Sequence, residues 1–536
     1  MHRVRHVVDR PRWRRRLRLT ALCAIAAAAP ALGAAADDRC PTRPSLQGAV
    51  PASWGIDVHN TRFQPRTQID AGNVARLELK WVYGLASRQP RSWPLVSEDT
   101  LFIGDAGALL ALDRESGCLR WRRELAGEVV SAVLHLPIGG RDALLFASRS
   151  GGIHAVDAAD GSPIWQRRLA EPPVPMYSGS PLIYGDAVFV PVSSMEIGLS
   201  VNPLYGCCTT SGALARLDAA TGEELWYRPT VENAGQVTGR HWLLVEKHGP
   251  SGAPVWGAPT FDPESGLVYF GTGQNYSLPA SDTSDAIFAV DAETGTVRWV
   301  RQFTEGDAYN LACEISREHP NCPDPMGPDW DFGAPPVLVR HQGRTLLLAG
   351  QKSGDVHALD ARTGETIWTR RIGRGGVLGG VHWGMAVNEA KGLLLVPVSD
   401  IEGHPSDRDP EPGLHALDLG TGEVRWVSQQ QPRCEDRVCR AGVSAAPTVT
   451  EDLVFAAGMD GRLQVHRVDT GEVLWSHDSW RDYPTVNGVP ANGGTFDAHG
   501  PLVVDDLVIV TSGYGSFGQR PGNALLVFQL RPEPTP

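Results

Sequence analysis

Residues Ala289 to Trp299 read AVDAETGTVRW. A short apolar strand runs into a D-x-x-T-G turn and leaves along a second strand that closes on tryptophan. The glycine supplies the positive φ such a turn needs, and the aspartate can hydrogen-bond the turn backbone. The pattern recurs as ALDRESGCLRW ending at Trp121, AVDAADGSPIW at Trp165, RLDAATGEELW at Trp226, ALDARTGETIW at Trp368, ALDLGTGEVRW at Trp426 and the looser VHRVDTGEVLW at Trp475. A four-stranded sheet cannot bury both faces alone, so such units stack radially into a propeller. Successive tryptophans lie 44, 61, 73, 69, 58 and 49 residues apart, against roughly 40–50 for a bare blade. The middle intervals therefore carry insertions, which is where a site would lie. Trp81 in LELKWVYG lies 40 residues before Trp121 and implies an eighth blade. The last segment, NALLVFQL (Asn523 to Leu530), is predicted to pair with N-terminal strands and close the ring, which removes open edges. The expected fold is all-β, an eight-bladed β-propeller with tryptophan-docking motifs.

The chain has 536 residues, 59 of them Gly and 41 Pro, and one large all-β domain over 37–536 suits it better than several small ones. Arg12 to Arg18 holds five arginines, and an apolar, alanine-rich run from Leu19 to Ala36 follows. This reads as a cleaved signal peptide, residues 1–36, and not as a stable membrane anchor. Its removal takes away eight Arg and one Asp and moves the formal charge from −12 to −19. An acidic surface argues against nucleic acid and favours a basic protein partner. Without Cys23 eight cysteines remain, an even count in an exported protein. Cys313/Cys322 and Cys434/Cys439 are close pairs, and Cys40 with Cys118 follows by elimination. The adjacent Cys207 and Cys208 either bridge elsewhere or form a strained vicinal ring; the three other pairs favour the ring. No C-x-x-C-H occurs, so the sequence carries no c-type haem motif.

Five features stand out between Ser178 and Asp400. Glu196 follows the apolar run in VPVSSMEIG, where a solvated loop carboxylate is the plain alternative. Trp256 lies outside the tryptophan register among small residues, which leaves an aromatic face for a planar ligand; a core tryptophan is the alternative. Gln274 and Asn275, in GTGQNY, offer amide oxygens to a hard cation. Asp331, between Trp330 and Phe332, is a carboxylate desolvated by aromatics and suits a general base; as a mere turn residue it would cede that role to Asp307 or Asp329. Lys352, in GQKSGD, follows a buried strand and either faces the axis or is a solvated turn lysine. The vicinal cysteines complete the set, as the wall of a ligand site.

These segments resemble the pyrroloquinoline-quinone (PQQ) dependent alcohol dehydrogenases, eight-bladed propellers of the bacterial periplasm. CCTTSGALARLDAATGEELW, NCPDPMGPDWDFGAPP, GQKSGDVHALD, GGVLGGVHWGMA and TVNGVPANGG are similar to the polyvinyl alcohol dehydrogenase branch, and the likeness runs from WGIDVHNTRFQP (Trp54 to Pro65) to PGNALLVFQL. The resemblance implies a quinone held between Cys207-Cys208 and Trp256, with Lys352 at its carbonyl. It implies calcium on Glu196, Asp331 and the amide position at Gln274 and Asn275. His382-Trp383 falls where methanol-type enzymes have Asn-Trp, which puts Trp383 among the cofactor contacts. The RQPRSW stretch stands where those enzymes have an early cofactor-binding Glu. Asp331 would take the proton of an alcohol, secondary or polymeric, with hydride passing to the quinone. Electrons would then leave to a separate cytochrome c in the periplasm. A non-catalytic propeller scaffold of periplasmic or outer-membrane assembly competes with this reading, as does a degenerate enzyme that binds no cofactor.

Overall fold

The structure, a computed structural model, describes residues 40, 43–169, 174–242, 244–401, 409–433, 440–516 and 518–533. The expected signal peptide, residues 1–36, and the expected pair Cys434/Cys439 lie outside them. Eight antiparallel sheets carry the fold, seven of four strands and one of five. It is an eight-bladed propeller, nearly all-β, with helical turns only at Val74–Arg76, Glu196–Leu199 and Ala312–Ile315 among the described residues. No helix among them is long and apolar enough to cross a membrane.

One blade shows why the repeat folds as it does. Its strands are Thr260–Asp262, Leu267–Gly271, Ala286–Asp291 and Val297–Gln302, hydrogen-bonded in that order. The first two are wholly buried and the fourth is only partly covered, so polarity rises from the first strand to the last. At the turn, Gly295 N–H donates to Asp291 O (2.8 Å) and Thr294 N–H to the Asp291 carboxylate (2.9 Å). Trp299 closes the blade by donating Nε1–H to Ala361 O at 3.2 Å, in the turn of the next blade. There a Cβ added to Gly364 would meet Trp299 Cε3 at 2.7 Å. Glycine in the motif is thus needed twice, for a positive φ and as the flat seat of the preceding tryptophan. The same bond runs round the ring from Trp81 to Arg114 O, Trp121 to Ala158 O, Trp165 to Ala219 O, Trp226 to Ala292 O, Trp368 to Leu419 O and Trp426 to Val468 O. Trp475 completes it by donating to Leu77 O at 3.1 Å.

The ring closes as the sequence predicts. Leu77–Gly84 is the outer strand of the last blade and pairs with Ala524–Leu530, Trp81 opposite Val527. The resemblance segment after Trp54 then runs along the inner strands. Val58 O, His59 O, Thr61 O and Arg62 O accept in turn from Phe261, Leu338, Val387 and Val449, which belong to four consecutive blades. The Arg62 guanidinium is fully buried between Trp54 and Trp93, 4.7 and 4.6 Å from their centroids. It donates to Pro447 O (2.6 Å), His499 O (2.8 Å) and Thr448 Oγ1 (3.1 Å). Disulfides join Cys40 to Cys118, Cys207 to Cys208 and Cys313 to Cys322.

Candidate active site

In each blade the segment before the first strand and the turn after the second emerge at the same end. Side chains from such segments of seven blades meet around one cavity of about 460 Å³, lined by Arg91, Arg149, Ile197, Trp256, Gln274, Lys352 and Trp383 among others. Trp256 leads into the strand Thr260–Asp262, and Trp383 into Ala386–Asn388. Gln274 follows Leu267–Gly271, and Lys352 follows Arg344–Gly350. The propeller thus turns positions as distant in sequence as Trp256 and Asp331, 75 residues apart, into neighbours.

Asp331 is at the centre. Its Oδ2 accepts from Lys352 Nζ at 2.8 Å and from Trp256 Nε1 at 3.1 Å, and its Oδ1 accepts from Gln274 N–H at 2.9 Å. The sequence reading expects desolvation by the flanking aromatics; the structure gives burial, but with a cation and two N–H donors against the carboxylate. Lys352 also reaches both oxygens of Asp329 at 3.3 Å. Burial acts against the lysine charge, yet Asp329 and Asp331 outweigh it and raise its pKa. Asp329, at φ 61, is itself pushed well above the usual carboxylate range by burial, in spite of Lys352. Asp307 braces this turn by accepting from Asp329 N–H (3.1 Å) and Trp330 N–H (2.8 Å). Burial lifts Asp307 to about 6. Asp285, fully buried with neither oxygen hydrogen-bonded, is raised well above its ordinary value by burial and then by Asp307 and Asp331. One lysine thus faces a buried set of four carboxyl groups, two of them strongly raised.

Trp256 sits on a flat seat. A Cβ added to Gly333 would fall 1.8 Å from its Cη2, so only glycine lets the backbone pass there. Trp383 meets it edge-on, 5.4 Å between centroids at 81°. The Arg91 guanidinium lies 4.5 Å over Trp383 and donates to Ser178 O at 2.9 Å, while its buried Nε has no partner. His382, beside Trp383, is buried and held neutral by burial and then by Lys352. Arg91 and Asp285 escape the sequence reading. RQPRSW shows an arginine where a Glu is expected, but nothing in the string shows that its charge is buried and unpaired.

Four expected site residues stand away from the cavity wall. The Glu196 carboxylate accepts from Tyr205 OH (2.8 Å), Thr209 N–H (2.8 Å) and Oγ1 (3.0 Å), and Thr210 N–H (2.8 Å) and Oγ1 (2.6 Å). Five donors use up the roughly four lone-pair sites of a carboxylate, so none is left for a cation. Asn275 turns its amide to Ser251 O and accepts from Ser281 N–H. Cys207 and Cys208 are buried behind Tyr276 and Ile197, which do line the cavity. Among the described residues no three His, Cys, Asp or Glu side chains are grouped to hold a metal. The calcium set expected from the resemblance is therefore not assembled here, because the loop after Glu196 satisfies that carboxylate itself. PQQ, a planar quinone bearing carboxylates, does suit the cavity. Trp256 offers a ring face, Arg91 an unpaired cation and an orphaned donor, and Gln274 an orphaned Oε1.

Comparison with known proteins gives the family of the chain. Two proteins named polyvinylalcohol dehydrogenase, from Pseudomonas sp. and Sphingopyxis sp. (strain 113P3), are each 34% identical to this chain, over 89% and 88% of it and 76% and 73% of their own lengths. The crystal structure of the quinohemoprotein alcohol dehydrogenase from Comamonas testosteroni shares the fold, with a TM-score of 0.65 at 20% identity over 91% of this chain and 82% of that one. A family model described as "Outer membrane protein assembly factor BamB" matches residues 72–243 and 327–526. That match follows blade repeats and passes over 244–326, which holds Trp256, Gln274 and Asp307. The chain belongs to the PQQ-dependent alcohol dehydrogenase family, in its polyvinylalcohol dehydrogenase branch.

Proposed function

We propose that this chain oxidises a secondary or polymeric alcohol with PQQ in the periplasm and passes the electrons to a separate cytochrome c. The observation that carries the reading is Asp331, bound to Lys352 and Trp256 at the wall of a cavity that also holds an unpaired arginine. Trp256 would hold the quinone ring, and Arg91 and Arg149 would hold its carboxylates. Bound PQQ supplies the two-electron acceptor. Asp331 accepts the alcohol proton at Oδ2, the oxygen held by Lys352 Nζ and Trp256 Nε1. Gln274 N–H fixes the other oxygen and so the direction of the base. Calcium is implied by the resemblance alone, since Glu196 and Asn275 are engaged elsewhere. Export is supported by the Arg-rich, apolar N-terminus and by three disulfides, which persist in oxidising compartments. The acidic charge supports a basic electron acceptor. The test is alcohol-dependent dye reduction by purified protein, with and without PQQ and with calcium added or chelated. Turnover that requires PQQ is expected. No PQQ binding and no turnover under any of these conditions would leave the scaffold reading.

A further inference from the structure

The cavity also presents a histidine that the proposed reaction leaves unused. Trp256, His382 and Ser444 each stand five residues before the residue that bonds the central segment, namely Phe261, Val387 and Val449. The repeat therefore sets these three side chains at one level around the axis. The rings of Trp256 and His382 meet there edge to face, 5.7 Å between centroids at 71°. His382 lines the cavity, and its Nδ1 lies 2.9 Å from Ser444 Oγ. That leaves Nε2, which has no hydrogen-bond partner among the described residues, for the cavity. Asp497 comes from the segment before the first strand of the last blade, Leu502–Val504, and is buried. Its Oδ1 accepts from Ala498 N–H at 2.8 Å and its Oδ2 from Gln519 Nε2 at 3.2 Å. Burial lifts Asp497 to about 6, opposed first by Ser444 and then by Ala498 N–H, Arg91 and Trp383. An ionised carboxylate can only accept, so it takes the Ser444 hydroxyl hydrogen. Ser444 Oγ is then left to accept from His382 Nδ1–H, and Nε2 keeps its lone pair. His382 stays neutral, because burial and then Lys352 and Arg91 act against its charge.

We propose that Ser444 and Asp497 are positioning residues that hold His382 as a hydrogen-bond acceptor in the cavity, and that this acceptor favours the reduced, hydroxyl-bearing quinone over the oxidised one. The inference rests on the PQQ reading above. Alcohol plus quinone gives carbonyl plus quinol, so two hydrogens and two electrons move together. Quinone carbonyls only accept hydrogen bonds, whereas quinol hydroxyls also donate. Arg91, Arg149 and Lys352 offer the cavity only donors, so a donated hydrogen needs an acceptor such as Nε2. The first test is ¹⁵N NMR of histidine-labelled, cofactor-free protein at pH 8, with the His382 signals assigned by their loss in His382→Gln. The parent should show the Nδ1–H form. Ser444→Ala and Asp497→Asn should each move it toward the Nε2–H form, and Ser444→Thr, which retains the hydroxyl, should not. The second test is fluorescence titration with oxidised and with chemically reduced PQQ under argon. The preference for reduced PQQ should fall about tenfold in Ser444→Ala and Asp497→Asn and persist in Ser444→Thr. An Nε2–H His382 in the parent, a tautomer unmoved by Ser444→Ala, or variants that change affinity for both forms equally would overturn the proposal. If the parent binds neither form, the PQQ reading falls, and the tautomer in the cofactor-free protein decides the positioning by itself.

Discussion

Single residues set the chemistry, and two of them make sharp tests. Gly333 is the seat of Trp256, so Gly333→Ala drives a Cβ into the indole. Overpacking costs about 1–3 kcal/mol and is relieved most easily by moving Trp256 toward the cavity. PQQ affinity, followed by fluorescence titration, should fall at least about tenfold with the fold retained; a Kd within twofold of the parent would show that the ring face is not used. Asp285 gives a pH signature. Its carboxyl keeps its proton well above the value of roughly 3.9 at which the unfolded chain loses it. From that pH upward the unfolded chain binds fewer protons, so stability falls as pH rises toward the folded pKa. Asp285→Asn has no proton to lose and should raise the melting temperature more at pH 8 than at pH 5; a gain independent of pH would contradict the buried, protonated state. Trp256 was legible in the sequence because it stands outside the tryptophan register, Asp331 because aromatics flank it, and Lys352 because it follows a buried strand. Arg91 and Asp285 were not, since the burial of a guanidinium without a counter-charge and of a carboxyl without a hydrogen bond is a property of seven blades meeting and leaves no local mark.

At the scale of elements, the insertions between Trp165 and Trp368 are where the sequence places a site, and three of them do wall the cavity. What the string does not show is that the loop after Glu196 folds back and closes around its carboxylate. Glu196→Gln replaces an acceptor surrounded by five donors with an amide that must point an N–H at some of them. It should cost about 1–3 kcal/mol in thermal unfolding. The effect of calcium or a chelator should be the same in variant and parent. A variant as stable as the parent that has lost its calcium response would return Glu196 to a metal. The blades themselves were readable down to the closing strand, because the D-x-x-T-G turn and the tryptophan it seats are both local.

At the scale of the molecule, two devices hold the ring. Tryptophans bond each blade to the next, and the segment Val58 to Arg62 bonds across the inner strands. Arg62→Met removes the donors of Pro447 O, His499 O and Thr448 Oγ1 at once. At about 1–3 kcal/mol for each buried acceptor left bare, a loss of about 3 kcal/mol or more is expected. Urea unfolding should show it as a lower midpoint, and an unchanged midpoint would mean that the segment Val58 to Arg62 is not part of the cooperative unit. The fold exists to bring Asp331, Lys352, Trp256 and Arg91 to one cavity, and the central claim is that Asp331 is the base there. Asp331→Asn keeps the size of the side chain but cannot take the proton. Turnover of alcohol at saturating PQQ, measured beside PQQ binding, should fall by about 10²–10⁴-fold in this variant while PQQ still binds. Turnover within a few-fold of the parent would contradict the account.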